Sequence, residues 1–214
     1  MKETFKEIKK DIVDAFDSNK NSEKKFEDIY KASPVLERLK KNKRIAIITG
    51  DNCEDIEFFY PYYRFFEEGY DVDVITLKGG SFKGKSGIGL NDSKTIDDVN
   101  PDAYELLYLP GGKAPEKLRE DERVLKFVRD FAARAKLIAA ICHGAQILAA
   151  AGLIKGKKIS AWPEIKKEIE DAGATFVDKA LVEDGQFITA RKPADLHRHM
   201  WGVLDRLEKD RKRD

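Results

Sequence analysis

Leu137-Ile138-Ala139-Ala140-Ile141-Cys142-His143-Gly144-Ala145-Gln146-Ile147-Leu148-Ala149 is the stretch that decides how this chain folds. Five apolar residues in succession suit a strand covered on both faces, as in a parallel sheet. The run halts at a cysteine, a histidine and a glycine, and a second apolar stretch of helical character follows. The implied order is strand, sharp turn, helix, with Cys142 at the turn. A thiol there lies near the positive end of a helix dipole and among backbone N–H groups without partners, and both favour thiolate. The same residues also fit a small buried cysteine that closes a core strand, since free cysteine is among the most buried residue types.

On either side of this turn the pattern alternates. Ile45-Ala46-Ile47-Ile48-Thr49 reads as a buried strand, residues 56–68 as a helix stopped by Gly69, and residues 72–77 as a second strand. The glycine-rich segment 79–89 predicts a loop or a small ribbon. Residues 106–109 form a strand stopped by Pro110-Gly111-Gly112, and residues 122–135 a helix. Beyond the Cys142 strand come a helix closing at Gly152, a strand over 158–161 and a helix over 164–172. A hairpin over 182–189 turns at Asp184-Gly185, and residues 194–208 form the last helix. Such alternation predicts an α/β fold with a doubly wound sheet.

Residues 1–43 differ. Phe5, Ile8, Ile12, Val13 and Phe16 recur at helical spacing, a polar break covers 17–22, and Phe26, Ile29 and Tyr30 follow. Pro34 then opens a third turn with Val35, Leu36 and Leu39. Helices this short need a surface to pack on. The expected organisation is an N-terminal helical extension over 1–43, lying on the main domain or on a neighbouring subunit, and an α/β domain over 44–214. A disordered tail is the alternative.

Composition excludes several classes. Forty basic residues against 39 acidic ones leave a net charge of +1, interspersed along the chain, so no nucleic-acid partner is expected. The charged fraction of 37% leans on Lys and Glu and would suit the ion-pair networks of a thermophile. Two cysteines, Cys53 and Cys142, make no disulfide framework and point to a reducing cytoplasmic setting. The N-terminus lacks the apolar core of a signal peptide, and no apolar run is long enough to cross a bilayer.

In open α/β sheets, sites gather beyond the carboxyl ends of the strands. Three strand ends compete: 50–57, 110–116 and the Cys142 turn, which resembles a nucleophile elbow, although its pattern is Ala-Ile-Cys-His-Gly rather than Gly-x-Ser-x-Gly. Glu54 and Glu57 share a face at a helix start, where acids match the dipole. Glu57 lies a turn further in, and a protonated carboxyl there could hydrogen-bond the thiolate. Gly111-Gly112 offers backbone N–H groups for an oxyanion hole, or simply a turn. His143 could serve as a base only if its ring folds back, oriented by a third group. His197 and His199, two apart on the last helix, do not share a face and read as solvated. Cys53 reads as structural. No cofactor and no metal site is expected.

Taken together, Glu54-Asp55-Ile56-Glu57 with Tyr60-Pro61-Tyr62, Leu109 to Glu116, Ala140-Ile141-Cys142-His143-Gly144 and Arg191 to Leu196 carry a resemblance. From Arg44 to about Leu207 the chain resembles the PfpI branch of the ThiJ/PfpI superfamily, which has a class I glutamine amidotransferase-like fold. The resemblance implies a flavodoxin-like, mostly parallel sheet sandwiched by helices, with Cys142 as nucleophile. It implies Glu57 as the carboxyl touching the sulfur, Glu54 close by, and amides near Gly112 and His143 as the oxyanion hole. It further implies a homo-oligomer, dimer or hexamer, in which Glu116 reaches His143 across a subunit boundary. Cys53 stands where a bulkier apolar residue is expected. The expected activity is that of a cofactor-independent thiol enzyme on reactive carbonyls, a glyoxalase III-type or deglycase reaction. An intracellular cysteine peptidase and a redox-sensing stress protein or chaperone are the alternatives.

Overall fold

The computed structural model describes residues 43–212. The extension read over residues 1–43 therefore lies, apart from Lys43, outside the described residues. The strands are β1 (Arg44–Ile48), β2 (Asp71–Thr76), β3 (Phe82–Lys83), β4 (Gly89–Leu90), β5 (Lys94–Thr95), β6 (Leu106–Leu109), β7 (Leu137–Ile141), β8 (Lys158–Ile159), β9 (Thr175–Phe176), β10 (Val182–Asp184) and β11 (Phe187–Ala190). The α-helices are α1 (Asp55–Glu67), α2 (Ala114–Leu118), α3 (Glu122–Ala132), α4 (Ala145–Ala150), α5 (Lys166–Asp171) and α6 (Leu196–Arg211). No helix among the described residues is long and apolar enough to cross a membrane.

Seven strands form the main sheet in the order β10-β11-β7-β6-β1-β2-β5. All its pairings are parallel except that of β10 with β11. Its central strands β1, β6 and β7 are almost wholly buried, which is why each reads as an unbroken apolar run. Helix α1 packs against α6, while α4 packs against α2, α3 and α5. Helix α3 shows the logic of such packing: Val124, Phe127, Val128 and Phe131 make one buried stripe, and the Asp121 carboxylate caps its start by accepting from Arg123 N–H. The chain moves from β1 to β2 on one side and to β6 on the other. Between β1 and β6 lies the switch point where α/β sheets open a crevice.

The doubly wound, mostly parallel sheet is thus present, with differences at the edges. The segment 79–89 contains the expected ribbon, β3 paired antiparallel with β4. The hairpin forms with Asp184 opposite Phe187, so its loop is Gly185-Gln186, one residue later than predicted. The strand expected over 158–161 shortens to β8 because Ser160 N–H turns aside to the Thr189 hydroxyl. The helix predicted over 122–135 ends at Ala132, and Ala135 takes a left-handed conformation before β7.

His199 corrects the reading of a solvated pair. His197 is exposed, but His199 joins Leu196, Met200, Val203 and Leu207 on the buried face of α6. Its Nε2–H donates to Ile188 C=O at 3.2 Å, because a carbonyl can only accept. Nδ1 is left to accept from the Tyr108 hydroxyl at 3.3 Å. Burial lowers the imidazole pKa from 6.5 to about 4. As pH falls through that window the unfolded chain takes up a proton that the folded one refuses, so folding loses up to about 3 kcal/mol. Urea unfolding of wild type and His199→Gln should show this: the wild-type advantage at pH 7 shrinks by about that amount at pH 4.

Candidate active site

The loop after β1 and the loop after β6 are stitched together across the switch point. Cys53 pairs with Gly112 in an isolated antiparallel bridge. Glu54 N–H donates to Gly111 C=O at 3.2 Å and Lys113 N–H to Asn52 C=O at 2.9 Å. The approach leaves no room for a side chain: a Cβ on Gly112, whose φ is +81°, would lie 2.2 Å from Glu54 N.

Cys142 follows β7 directly, 6% exposed, with a φ of +58°. That left-handed conformation is costly for a residue with a Cβ and makes the chain turn sharply. The turn continues as one 3-10 turn, Cys142–Gly144, into α4. Gly144 permits it, since a Cβ there would meet Leu109 O at 2.1 Å. The strand, elbow and helix read from the sequence are all present. The elbow combines a strained cysteine with one flanking glycine, Gly144, while Ala140 stands at the other flank.

Glu57 is fully buried on the inner face of α1 with Phe58, Pro61 and Phe65. Its Oε2 accepts from Gly111 N–H at 2.9 Å, and its Oε1 has no hydrogen-bond partner among the described residues. Burial drives its pKa from 4.5 up to about 8, against the pull of the Gly111 N–H and of Cys142. The carboxyl is therefore neutral near pH 7. Glu57 and Cys142 lie side by side, each shifting the other's pKa.

For the thiol, burial and the nearby Glu57 carboxylate push the pKa upward, while the N–H groups of His143 and Gly112 pull it down. The upward effects are the larger. The dipole-favoured thiolate expected from sequence alone is thus not given by α4, only six residues long. A thiolate becomes favourable when the neighbouring carboxyl keeps its proton and donates it to sulfur. The His143 ring does fold back, its Nδ1 3.3 Å from Cys142 Sγ. Burial lowers the His143 pKa, partly offset by the charges of Glu116, Glu164 and Glu168.

Cys142, His143, Glu57 and Gly112 therefore converge. Gly111 does not join the oxyanion donors as expected, because its N–H is committed to Glu57. Glu54 stands just outside, its Oε2 2.9 Å from Lys85 Nζ. Glu116, exposed on α2, bears on His143 through charge rather than a hydrogen bond within this chain. Cys53 is wholly buried, and burial raises its thiol to about 11. Sequence reasoning missed Trp162, whose ring lies against His143 with centroids 6.1 Å apart. The carboxyl end of β8, a fourth strand end, was the signal that would have led to it. Among the described residues no group of three or more His, Cys, Asp or Glu side chains could hold a metal ion.

Residues 43–206 match the model of the DJ-1/PfpI family. A deglycase of Pyrococcus abyssi is 40% identical over 157 residues, which are 73% of this chain and 95% of that protein. The protein/nucleic acid deglycase 2 of Escherichia coli is 40% identical over 158 residues, 72% of this chain and 92% of that protein. Among solved structures, a two-domain protein from Anabaena variabilis, with DJ-1/ThiJ/PfpI-like and ferritin-like domains, superposes with a TM-score of 0.76 at 34% identity. The match covers 78% of this chain and 48% of that one, so the chain spans about half its length.

Proposed function

Because the chain belongs to the DJ-1/PfpI family over residues 43–206, we propose that it is a deglycase, a thiol enzyme that acts on reactive carbonyls and their early adducts without a cofactor. The observation that carries this reading is the convergence on one strained cysteine of a neutral carboxyl, an imidazole and two backbone N–H groups. The two relatives named as deglycases support it.

In this mechanism Cys142 sulfur adds to the aldehyde carbon of methylglyoxal. The carbonyl π pair moves onto oxygen, held by the N–H groups of Gly112 and His143, and Glu57 supplies the proton that gives a hemithioacetal. His143 then removes the hydrogen on the former aldehyde carbon, giving an enediol, and returns it to the adjacent carbon, while the hydroxyl proton passes from the first oxygen to the second; a lactoyl thioester results. Water cleaves that thioester to lactate and regenerates the thiol. With a hemiaminal adduct the C–N bond breaks first, the amine nitrogen taking a proton from the site and the hydroxyl giving one up, and the sulfur adds to the aldehyde so released. Glyoxal would give glycolate.

Purified protein should release lactate from methylglyoxal and free amine from a freshly glycated lysine or arginine peptide, both followed by chromatography. Neither product forming would overturn the reading.

A cysteine peptidase is the second reading, and the 3.3 Å contact of His143 with Sγ is what favours it. It requires an acid to orient His143, which Glu116 of the partner subunit would supply in a homo-oligomer. Glu116→Ala would then abolish hydrolysis of a fluorogenic peptide while leaving lactate formation in place, and light scattering gives the mass of the assembly.

A further inference from the structure

Neighbouring residues on a turn ordinarily point apart, yet Cys142 Sγ and His143 Nδ1 meet at 3.3 Å. The left-handed backbone of Cys142 accounts for part of this. On the other side of the ring stands an aromatic wall. The imidazole of His143 lies against the indole of Trp162, with centroids 6.1 Å apart and planes inclined by 28°, within the range in which aromatic pairs attract. Trp162 is itself fixed from the main chain. Its N–H donates to Cys142 C=O at 3.3 Å, and its C=O accepts from Ile165 N–H at 3.0 Å. The wall is thus registered to the residue whose thiol the imidazole faces.

We propose that Trp162 is a positioning residue for His143, its indole face holding the imidazole turned back onto the Cys142 sulfur. Other groups around His143 are placed differently. Glu116 on α2 and Glu164 in the turn before α5 are exposed and act through charge. Glu168 on α5 is occupied, since one oxygen accepts from Arg119 at 2.5 Å and the other from Gln146 Nε2 at 2.8 Å. Arg119 contributes only repulsion toward a charged ring. On the sulfur side stand Cys142 and, beyond it, Glu57. An aromatic face therefore does for His143 what an acid does in a conventional triad, fixing the ring's orientation. It also attracts the imidazolium that forms when His143 takes up a proton.

The inference rests on Cys142 and His143 acting as a pair, and it is testable without any carbonyl or peptide substrate. The chain has two tryptophans, and the other, Trp201, is 71% exposed on α6. In a Trp201→Phe background, fluorescence reports Trp162 alone, and a stacked imidazolium quenches indole more than a neutral ring does. Emission should fall as pH drops through a transition below 6.5, and His143→Ala should abolish that transition. In the same background, alkylation of Cys142 by iodoacetamide at pH 7, followed by mass spectrometry, should slow about tenfold in Trp162→Leu, with an altered pH profile. Trp162→Phe, which keeps a ring face, should stay within about twofold of the parent. A pH transition unchanged by His143→Ala would overturn the proposal. So would equal alkylation rates in the Leu, Phe and parent proteins. The fluorescence arm keeps the native ring and decides the matter even if Trp162→Leu fails to fold.

Discussion

In the proposed reaction, protein carrying Cys142→Ala should form lactate from methylglyoxal at least about a thousandfold more slowly than wild type, because the covalent bond is made by the Cys142 sulfur. Cys53 cannot substitute. It is wholly buried, and its thiol pKa is pushed up to about 11. The same position carries a stability signature that separates an elbow from an ordinary core cysteine. With a φ of +58° at Cys142, any Cβ is strained. Cys142→Gly should therefore be more stable than Cys142→Ala by about 1 kcal/mol, the reverse of the usual order of glycine and alanine. Thermal unfolding of the two variants, both lacking the thiol, makes that comparison. Alanine proving the more stable would mean that the backbone is not strained at the elbow.

Glu57→Gln should lower turnover by about 10² to 10³, since an amide of the same shape can donate to sulfur but cannot hand over and reclaim a proton. The substitution should also change how stability follows pH. The Glu57 carboxyl has a pKa raised from 4.5 to about 8, so the folded protein holds a proton that the unfolded chain releases. Folding is therefore least burdened below about pH 4.5 and loses stability as pH climbs toward 8, by up to about 5 kcal/mol across that window. Glu57→Gln removes this slope. The variant should gain on wild type as pH rises in urea titrations, which a surface carboxylate would not produce. The pair should give up its first proton near pH 8 and hold the second far higher, so the wild-type rate should rise as pH climbs toward 8, a titration that belongs to Glu57 and Cys142 jointly.

Much of this architecture is legible in the residues. The central strands announce themselves because burial on both faces demands unbroken apolar runs, and the hairpin because Asp184-Gly185 is a turn signal next to Phe187-Ile188, although the loop forms one residue later. Strands of two residues, such as β5 and β8, carry no period to detect; they exist because their neighbours offer an edge. His199 was misread by considering it against His197 instead of against the stripe of Leu196, Met200, Val203 and Leu207, whose spacing includes it. At the site, Glu57 could be picked out because it shares a stripe with Phe58, Pro61 and Phe65, whereas Glu54 precedes the helix. The direction of an amide is different. Gly111 and Gly112 look alike in sequence, and only the stitched loops decide that one N–H serves Glu57 and the other faces the sulfur. The stack of Trp162 on His143 joins residues from separate elements and has no local pattern at all.

The bridge between Cys53 and Gly112 gives the molecule two thiols with opposite duties. Cys142 keeps 6% of its surface exposed at the end of β7, while Cys53, within the stitched loops, has none. A thiol reagent added to the native protein should modify one sulfur quickly, and the second only at the pace at which those loops come apart. The first event counts intact active sites. The second times the breathing of the crevice floor, so mass spectrometry of a single labelling reaction would read catalytic integrity and local opening from the same sample.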